Sequence, residues 1–592
     1  MAPFRRIRAS REMAIRTGVF LVGRAKPLAL LAPPLFAIGR PFGDYGLSTD
    51  RVSRQTAAYY RSWSGDATHR LENVSITVYE KNDDIGGTWL ENRYPGWNPN
   101  PEWSQLYASA QEIHRYLTHT VDAFGLREYF RFGKECVGAE WDEASCEWLV
   151  SFRGVHDVDG RATTRLKCDV FVYAVGRLNN WKMPDITGLS EFQGPVLHTA
   201  SWPRDIELGN KNVAVIGNGA SAVQCIAGIH QLAKKVYNIV RSGTWLVPHV
   251  FSGNGEPQVD YSEEDAAQWN RDPESYADFR YGLERQLASS FAGLWLGASS
   301  EAFTRAAAQH MGRKIQDAGV RAALVPDFPA GCRRFTPADR YLDALNQSRV
   351  ALVKGTIAGA TRDSLVMQDG ASYPVDVIVC ATGFDPYTPR FSVRGRAGLE
   401  LQERWSDRGG YESYMAAAVA GFPNFFAFNP PICPVNGSAF PGIERTSDYI
   451  IRVITRLQTD NLKSIAVTQE AQSTFNKWVQ GRMASMVWSG PCSSWYKTES
   501  GKVIVPWPGT MLHYYRATEV VRWEDFDLRF QDESMKYGSF GNGITSEGFA
   551  PKEIPWLTGG QSRNQKSLAA RQPSTPPEPK PTPPQAPQTE HL

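Results

Sequence analysis

The stretch N-V-A-V-I-G-N-G-A-S-A-V-Q-C-I-A, residues 212–227, decides the fold of this chain. An apolar run, Val213–Ile216, is followed at once by Gly217 and Gly219 and then by residues compatible with a helix as far as Lys234. In this order of strand, turn and helix, the first glycine allows a tight turn and the second lets the backbone approach a pyrophosphate. The helix N-terminus then presents unpaired N–H groups to the phosphates. The stretch therefore predicts a doubly wound α/β sheet that binds a dinucleotide.

The residues after the two glycines extend this pattern. Ala222 occupies the third small position, where the helix packs on the strand, and Ala220 and Ser221 precede it at the helix start. The next apolar run, V-Y-N-I-V, ends at Arg241 and Ser242, where an NAD-binding fold carries an acidic residue for the ribose. A guanidinium suits a ribose 2′-phosphate, so the sequence favours NADPH. The alternative is a surface arginine at a strand end.

A second dinucleotide unit is indicated by V-S-I-T-V-Y-E, residues 74–80, which ends in Glu80 at the position of a ribose-binding carboxylate. Four residues suited to close backbone approach, hydrogen bonding or stacking follow it: Gly86, Gly87, Thr88 and Trp89. A glycine fingerprint is expected about 20–30 residues before the carboxylate. Residues 1–71 contain no G-x-G-x-x-G, so the sequence predicts a damaged second site.

Composition limits the class of protein. The chain has 592 residues, 42% of them hydrophobic and 21% charged, with a net charge of +2. This is the balance of a soluble globular protein of two or three domains, and it gives no indication of a nucleic-acid or acidic partner. Eight cysteines without a C-x-x-C pair speak against a zinc ribbon, a dithiol centre or a secreted disulfide framework. They favour a reducing compartment, and we expect a cytoplasmic protein.

The two ends of the chain differ from its middle. The first forty residues carry seven arginines and one lysine against a single acidic residue, Glu12, and the apolar run P-L-A-L-L-A-P-P-L-F-A-I-G follows. That run is too short and too interrupted to be a transmembrane segment. An organelle-targeting segment is an alternative to a disordered or non-native extension. The proline-rich end, from about Arg563, predicts a solvated, disordered tail.

The most specific motif is F-Q-G-P-V-L-H-T-A-S-W-P, residues 192–203, which fits the pattern F-x-G-x-x-x-H-T-x-x-W-P. Other characteristic segments are YEKNDDIGGTWLENRYPG, AVGRLNNWKMPDITG, GCRRFTP, VIVCATGFDP, GFPNFFAFNPP, CSSWYK and VPWPGT. In this order they resemble the flavin-containing monooxygenase superfamily, and specifically the Baeyer–Villiger monooxygenases of fungal secondary metabolism. The resemblance runs from about Val74 to Phe530.

The resemblance implies two doubly wound, Rossmann-like domains with a helical subdomain. The expected divisions are an atypical N-terminal segment at 1–71, an FAD-binding domain at 72–205 and 384–560, an NADPH-binding domain at 206–260 and 326–383, the helical subdomain at 261–325 and a disordered tail at 561–592. The active site is expected between the two nucleotide domains.

Residue roles are also implied by the resemblance. It assigns FAD contacts to the segment from Gly86 to Trp89 and a turn linking the two nucleotide domains to Thr382 and Gly383. Six residues are implied as NADPH contacts: Gly217, Gly219, Ser221, Arg241, Ser242 and Thr244. His198 and Trp202 match the linker that couples NADPH position to the flavin, and Arg334 matches the active-site arginine.

The implied reaction is the NADPH- and dioxygen-dependent conversion of a ketone into an ester or lactone, with a polyketide-like metabolite as substrate. Arginine suits the site of Arg334 because it keeps its charge and can stabilise a developing oxyanion. Hydroxylation of nitrogen or sulfur is the alternative within the family, and a non-catalytic NADPH-binding remnant is the alternative outside it. One departure bears on these choices. Where family members continue from NRYPG into an aspartate-bearing loop, Gly96 is followed directly by W-N-P-N-P-E-W-S. We therefore expect this chain to hold FAD weakly.

Overall fold

The structure is a computed structural model, and it describes residues 17–22, 74–91, 104, 109–156, 163–203, 205–248 and 261–540. The strands in this part of the chain are β1 Thr17–Val22, β2 Val74–Tyr79, β3 Phe130–Arg131, β4 Lys134–Asp142, β5 Glu147–Gly154, β6 Thr163–Cys168, β7 Val170–Tyr173, β8 Val196–His198, β9 Asn212–Ile216, β10 Lys235–Val240, β11 Leu246–Val247, β12 Thr336–Pro337, β13 Val350–Lys354, β14 Ile357–Ala360, β15 Ser364–Met367, β16 Ser372–Pro374, β17 Val377–Cys380, β18 Ser392–Arg394, β19 Phe425–Ala427, β20 Leu462–Val467 and β21 Phe526–Phe530.

The α-helices of the same ranges are α1 Thr88–Glu91, α2 Ala110–Ala123, α3 Ala220–Ile229, α4 Glu263–Arg271, α5 Pro273–Ser290, α6 Ala298–Lys314, α7 Ala318–Leu324, α8 Asp339–Leu345, α9 Leu401–Arg404, α10 Ala439–Thr459, α11 Gln469–Met483 and α12 Met511–Ala517. Four of them, α4 to α7, lie within the stretch 261–325. Within the described residues, none of the helices is long and apolar enough to cross a membrane.

The sheet predicted from residues 212–227 is present and parallel, in the order β13-β10-β9-β17-β8. We call it the second sheet. Its central strand β9 is buried on both faces, since Val213, Ala214 and Val215 are all 0% exposed. Such continuous apolar runs are typical of parallel strands covered on both sides. The chain proceeds from β9 to β10 on one side and returns to β17 on the other, so the ends of β9 and β17 form the switch point where doubly wound folds bind ligands.

A second parallel sheet, which we call the first sheet, has the order β19-β7-β1-β2-β3. Strand β1 lies between β2 and β7, with Val19 opposite Ile76 on one side and Val170 on the other. We described residues 1–71 as an atypical N-terminal segment that lacks the glycine fingerprint, and within it Thr17–Val22 pairs with both neighbours of this sheet. The reason is physical: strand pairing needs backbone hydrogen bonds and an apolar run, whereas the glycine fingerprint governs only the approach of a ligand.

The boundary between the two nucleotide units also differs from the expected one. Strand β8, with His198 at its end, pairs with β17 in the second sheet, although we assigned residues up to 205 to the first domain. Around the two parallel sheets lie an antiparallel β4-β5-β6 layer extended by β18, a β14-β15-β16 meander and the pair β20-β21. The doubly wound α/β class itself is confirmed by this topology.

The chain divides into a unit at Met1–Glu533, which carries every labelled helix and strand, and a unit at Ser534–Leu592. Of the latter the structure describes residues 534–540. Three expectations fall outside the described residues: most of the segment searched for the first glycine fingerprint, the altered loop after Gly96, and the proline-rich tail.

Candidate functional site

The turn after β9 is built around Gly217, whose φ of +120° is rarely adopted by residues with a side chain. Its N–H donates to the carbonyl of Ile239 at 2.9 Å. A Cβ at this position would lie 2.6 Å from the carbonyl oxygen of Ala381, which follows β17. The two strand ends are therefore so close at the switch point that only glycine fits.

Gly219 serves a different purpose. It is the N-cap of α3, with an ordinary φ of −75° and no side-chain cap. A Cβ there would meet nothing within 4 Å. The space at Gly219 is thus open, and the helix that begins with Ala220 and Ser221 has no side-chain cap. An uncapped helix N-terminus with an unobstructed approach fits a dinucleotide pyrophosphate.

Two arginines flank Ser242 at the end of β10. Arg241 is exposed, as expected for a residue that selects a phosphate from solvent. Arg333 approaches from a distant part of the chain and donates from its two Nη atoms to Ser242 Oγ at 3.3 and 3.2 Å. It also donates to the carbonyl of Gly243 at 3.2 Å. Arg241 and Arg333 together form a doubly cationic site suited to the 2′-phosphate of NADPH.

The state of Arg333 supports this assignment. Burial, and then the charge of Arg241, lower the pKa of Arg333. Its Nε is buried and has no hydrogen-bond partner among the described residues. An anion between the two guanidinium groups would relieve both effects. From the sequence we predicted a role only for Arg334 of the GCRRFTP segment; the adjacent Arg333 was the signal that could have indicated this site.

Arg334, the next residue, is exposed. Its charge acts on Tyr496 of the CSSWYK segment. Burial raises the pKa of Tyr496, while Arg334 and Arg177 both oppose that rise. Tyr496 is 4% exposed and lies within the influence of both cations. The structure therefore brings two segments singled out from the sequence into one site.

A disulfide joins Cys332, directly before the two arginines, to Cys492 at the start of CSSWYK. From the cysteine spacing we predicted a reducing compartment and no secreted disulfide framework, and this single disulfide departs from that prediction. Sequence spacing gave no warning because the partners are 160 residues apart. Lys497 lies beside this link and donates to the carbonyl of Gly490 at 2.5 Å. Burial, and then Arg333, lower the pKa of Lys497.

His198 is 1% exposed at the end of β8. Its Nδ1 accepts a hydrogen bond from the N–H of Ala200 at 3.1 Å, and its buried Nε2 has no partner in the described ranges. The ring stacks on Trp181 with centroids 4.8 Å apart and meets the edge of Phe384 at 6.1 Å. Burial lowers the pKa of His198, opposed by the backbone of Gly383. The imidazole is thus held neutral where the linkers between the two sheets meet.

The other residues predicted as cofactor contacts on or beside the second sheet are Thr382, Gly383, Trp202 and Thr244. Thr382 is exposed, and Gly383 has a φ of +89° with open space where a Cβ would lie. Trp202 packs against the core of the second sheet. Thr244 is 4% exposed, and its N–H donates to the carbonyl of Leu324 at 3.0 Å, so its described contact is structural.

The residues predicted to contact FAD lie at the end of β2. Glu80 is 1% exposed, and its Oε1 accepts the N–H of Asn82 at 2.8 Å. A Cβ on Gly86 would lie 2.5 Å from the ring of His114, so this glycine is required by packing as well as by its φ of +130°. Glu80 is placed beside β1 where it would hold a ribose. The phosphate-binding part of this site lies outside the described residues.

The turn after Gly86 continues this part of the site. Gly87 has a φ of +50°, and helix α1 begins at Thr88. Trp89 is partly buried against the core of the first sheet. Gly87, Thr88 and Trp89 therefore lie close in sequence to Glu80, the residue predicted to contact the ribose. Among the described residues, no group of three or more His, Cys, Asp and Glu side chains could hold a metal ion.

Comparison with known proteins identifies this arrangement. A model of the flavin-binding monooxygenase-like family matches residues 94–260. The FAD-binding monooxygenase moxY of Dothistroma septosporum is 37% identical over 497 residues, covering 79% of this chain and 78% of that protein. The chain belongs to the flavin-binding monooxygenase family. A Baeyer-Villiger monooxygenase of Streptomyces coelicolor is 31% identical over 502 residues, which cover 78% of this chain and 90% of that protein.

Solved structures agree in fold. A steroid monooxygenase bound to NADP superimposes with a TM-score of 0.69 at 24% identity, covering 87% of this chain and all of that one. The complex of OTEMO with FAD and NADP gives the same TM-score at 22% identity, covering 86% of this chain and 99% of that one. At these identities the likeness concerns the fold, which is that of a monooxygenase with two nucleotide domains.

Proposed function

We propose that this family member is an FAD- and NADPH-dependent monooxygenase of the Baeyer–Villiger type, which uses dioxygen to convert a ketone into an ester or lactone. The observation that carries the proposal is the pair of adjacent arginines after Cys332. Arg333 closes a phosphate site with Arg241 and Ser242, whereas Arg334 is exposed beside Tyr496. The segment after Cys332 thus supplies one arginine for the coenzyme and one exposed arginine.

Each part of the proposed site has a separate task. The start of α3 and the Arg241–Arg333 pair would bind and orient NADPH, and Glu80 would hold the ribose of FAD. When bound, FAD supplies the electron transfer and the reaction with dioxygen. Arg334 would stabilise negative charge on the reacting oxygen, since a guanidinium stays protonated throughout. Burial of His198 and its stacking on Trp181 would fix the linker between the two cofactors.

For the substrate we propose a ketone in a secondary-metabolite pathway of the polyketide type, in a cytoplasmic protein. The support is the motif resemblance together with the similarity to fungal FAD-binding monooxygenases such as moxY, and stcW of Emericella nidulans at 36% identity. Nitrogen or sulfur hydroxylation is the alternative reaction for the same constellation.

The test compares Arg334→Ala with Arg340→Ala, a matched exposed arginine on the neighbouring helix α8. NADPH oxidation and ester formation from a simple cyclic ketone are measured in parallel on the FAD-loaded chain. We expect Arg334→Ala to lose ester formation by about a hundredfold or more, the usual effect of removing one charge-stabilising donor, while NADPH oxidation continues. The Arg340 variant should match the unmodified chain. Normal ester formation by Arg334→Ala would refute the assignment.

A second candidate is a non-catalytic NADPH-binding protein. It is favoured by one observation, the lack of a G-x-G-x-x-G pattern anywhere between Met1 and Glu80. The pyrophosphate of FAD normally meets the N–H groups of such a turn. The ratio of visible flavin absorbance to protein after purification and after FAD titration separates the candidates. A colourless chain that still binds NADPH supports the second one, and stoichiometric flavin excludes it.

A further inference from the structure

Helix α2 places a histidine against the turn that we predict to contact FAD. The Nε2 of His114 lies 2.7 Å from the carbonyl oxygen of Ile85, the residue directly before Gly86 and Gly87. A carbonyl oxygen only accepts hydrogen bonds, so Nε2 carries the proton and donates to it. Ile85 is 0% exposed, and a hydrogen bond to a group in so buried a residue is costly to lose.

The same ring also packs against the turn. A Cβ on Gly86 would lie 2.5 Å from His114 Cδ2 and 3.1 Å from its Nε2. The imidazole therefore lies directly against the backbone to which it hydrogen-bonds. A displacement of the turn toward α2 is blocked by the ring, and a displacement away from α2 breaks the hydrogen bond.

Helix α2 is itself firmly anchored. Ser109 caps it, since its Oγ accepts the N–H of Glu112 at 3.2 Å. Ile113, Leu117 and Val121 are 0%, 1% and 0% exposed, and their spacing of four residues places them on one face of the helix. A side chain carried by such a helix holds its partner more precisely than one carried by a loop.

The hydrogen bond of His114 also sets the direction of the next N–H group. The peptide bond between Ile85 and Gly86 is trans. In a planar trans peptide the carbonyl and the N–H point in opposite directions. Because the Ile85 carbonyl is directed at His114, the N–H of Gly86 points away from α2.

The two glycines of the turn have N–H groups that the protein does not use. Both residues are buried, and neither N–H has a hydrogen-bond partner among the described residues. Their carbonyl groups are engaged, since Gly86 accepts the N–H of Trp89 at 3.0 Å and Gly87 that of Leu90 at 3.1 Å. Buried donors left without a partner are unfavourable and indicate an acceptor that a ligand supplies.

We propose that His114 is a positioning residue for FAD: it fixes the peptide between Ile85 and Gly86 so that the N–H groups of Gly86 and Gly87 are presented to an acceptor atom of the cofactor. This inference rests on the proposed function and adds to it a residue that acts on the cofactor through the turn.

The experiment titrates the full-length chain with FAD and records the visible circular dichroism of the bound flavin at saturation. His114→Met and His114→Gln are compared, because the two new residues are similar in length and helix propensity and only glutamine has a donor. We expect His114→Met to weaken FAD binding about tenfold and to change the flavin spectrum, because the turn is no longer fixed. His114→Gln should restore most of both, since its Nε2 can donate to the same carbonyl.

His119→Met is the matched control, because His119 is exposed on the same helix, and it should bind FAD like the unmodified chain. Binding of NADP⁺ should be unchanged in all three variants, since its proposed site lies on the second sheet. Normal FAD binding by His114→Met would overturn the proposal. Equal weakening by methionine and glutamine would also overturn it, since the donor would then not be the cause.

A melting curve shows whether His114→Met folds. If it does not, His114→Asn decides, because asparagine is polar but one methylene group shorter than glutamine, so its amide cannot reach the Ile85 carbonyl. Normal FAD binding by His114→Asn would then overturn the role of His114, and weakened binding would support it.

Failure of the proposed function gives a different result. In that case the unmodified chain itself binds no FAD in the titration, and the monooxygenase assignment falls together with the role of His114. FAD binding by the unmodified chain that His114→Met leaves unchanged would remove the role of His114 alone.

Discussion

The two glycines before α3 allow stability and coenzyme binding to be separated by matched substitutions. Gly217→Ala places a methyl group 2.6 Å from the Ala381 carbonyl oxygen and forces alanine to a φ of +120°. The backbone strain costs about 1–3 kcal/mol. The overpacking costs a similar amount, because the Ala381 carbonyl group that the methyl would meet is backbone and not a flexible side chain. Gly219→Ala has an ordinary φ and open space, so its effect on stability should stay within about 0.5 kcal/mol.

Binding should show the opposite order among correctly folded molecules. The methyl group of Gly219→Ala occupies the space through which a pyrophosphate reaches the N–H groups of α3. Losing one or two charge-assisted hydrogen bonds should weaken NADP⁺ binding about tenfold or more. Gly217→Ala should first reveal itself as faster local opening of the second sheet.

The assay combines hydrogen–deuterium exchange of peptides covering residues 212–229 with calorimetric titration of NADP⁺. Exchange reports local unfolding, which is preferable here because a chain of several domains rarely unfolds in a single two-state step. We expect strongly increased exchange in Gly217→Ala and unchanged exchange in Gly219→Ala. If Gly219→Ala binds NADP⁺ normally, the pyrophosphate does not lie at the start of α3; if Gly217→Ala exchanges normally, the strand ends are not in contact.

Three further predictions concern the phosphate site, the disulfide and two buried histidines, His198 and His310 on α6. Arg333→Ala and Arg241→Ala should each raise the Michaelis constant for NADPH far more than that for NADH, and equal effects would contradict the phosphate site. Replacing Cys332 and Cys492 together by serine should lower the free energy of unfolding by about 2–4 kcal/mol. Cys146→Ser, a change at a cysteine outside the disulfide, is the control variant. An unchanged melting temperature of the double variant would argue against the disulfide. Burial lowers the pKa of His198 and His310, so the unfolded chain binds more protons and stability should fall as pH drops below about 6.5. Urea midpoints at about pH 7.5 and about pH 5.5 check this, with a smaller difference expected for His198→Gln.

Local sequence was enough to predict the second sheet. The apolar run, two glycines and helix appear as β9, the Gly217 turn and α3 in the predicted order. The helix ends at Ile229 rather than near Lys234, because Lys235 already begins β10 and the connection needs the residues between. A signal confined to about twenty neighbouring residues is therefore readable when strand, turn and helix each have their own chemistry.

Features that depend on distant pairing were not readable in the same way. Strand β1 was missed because the search relied on a glycine motif, although backbone pairing with β2 and β7 requires none. The contact between Ser242 and Arg333 joins residues 91 positions apart. The Cys332–Cys492 link spans still more of the chain. A single sequence specifies these contacts only through the complete fold.

The segment from Cys332 to Arg334 shows why those distant contacts matter for function. Arg333 and Arg334 are adjacent in this segment, yet their charges act on different partners. Arg333 donates to Ser242 and lies over the Phe328 ring at 5.0 Å, whereas Arg334 is exposed and its charge acts on Tyr496. The disulfide joins this segment to Cys492, four residues before Tyr496. If NADPH binds as proposed, we expect a displacement of its phosphate at Arg333 to move Arg334 as well, because both arginines follow directly on the disulfide-linked Cys332.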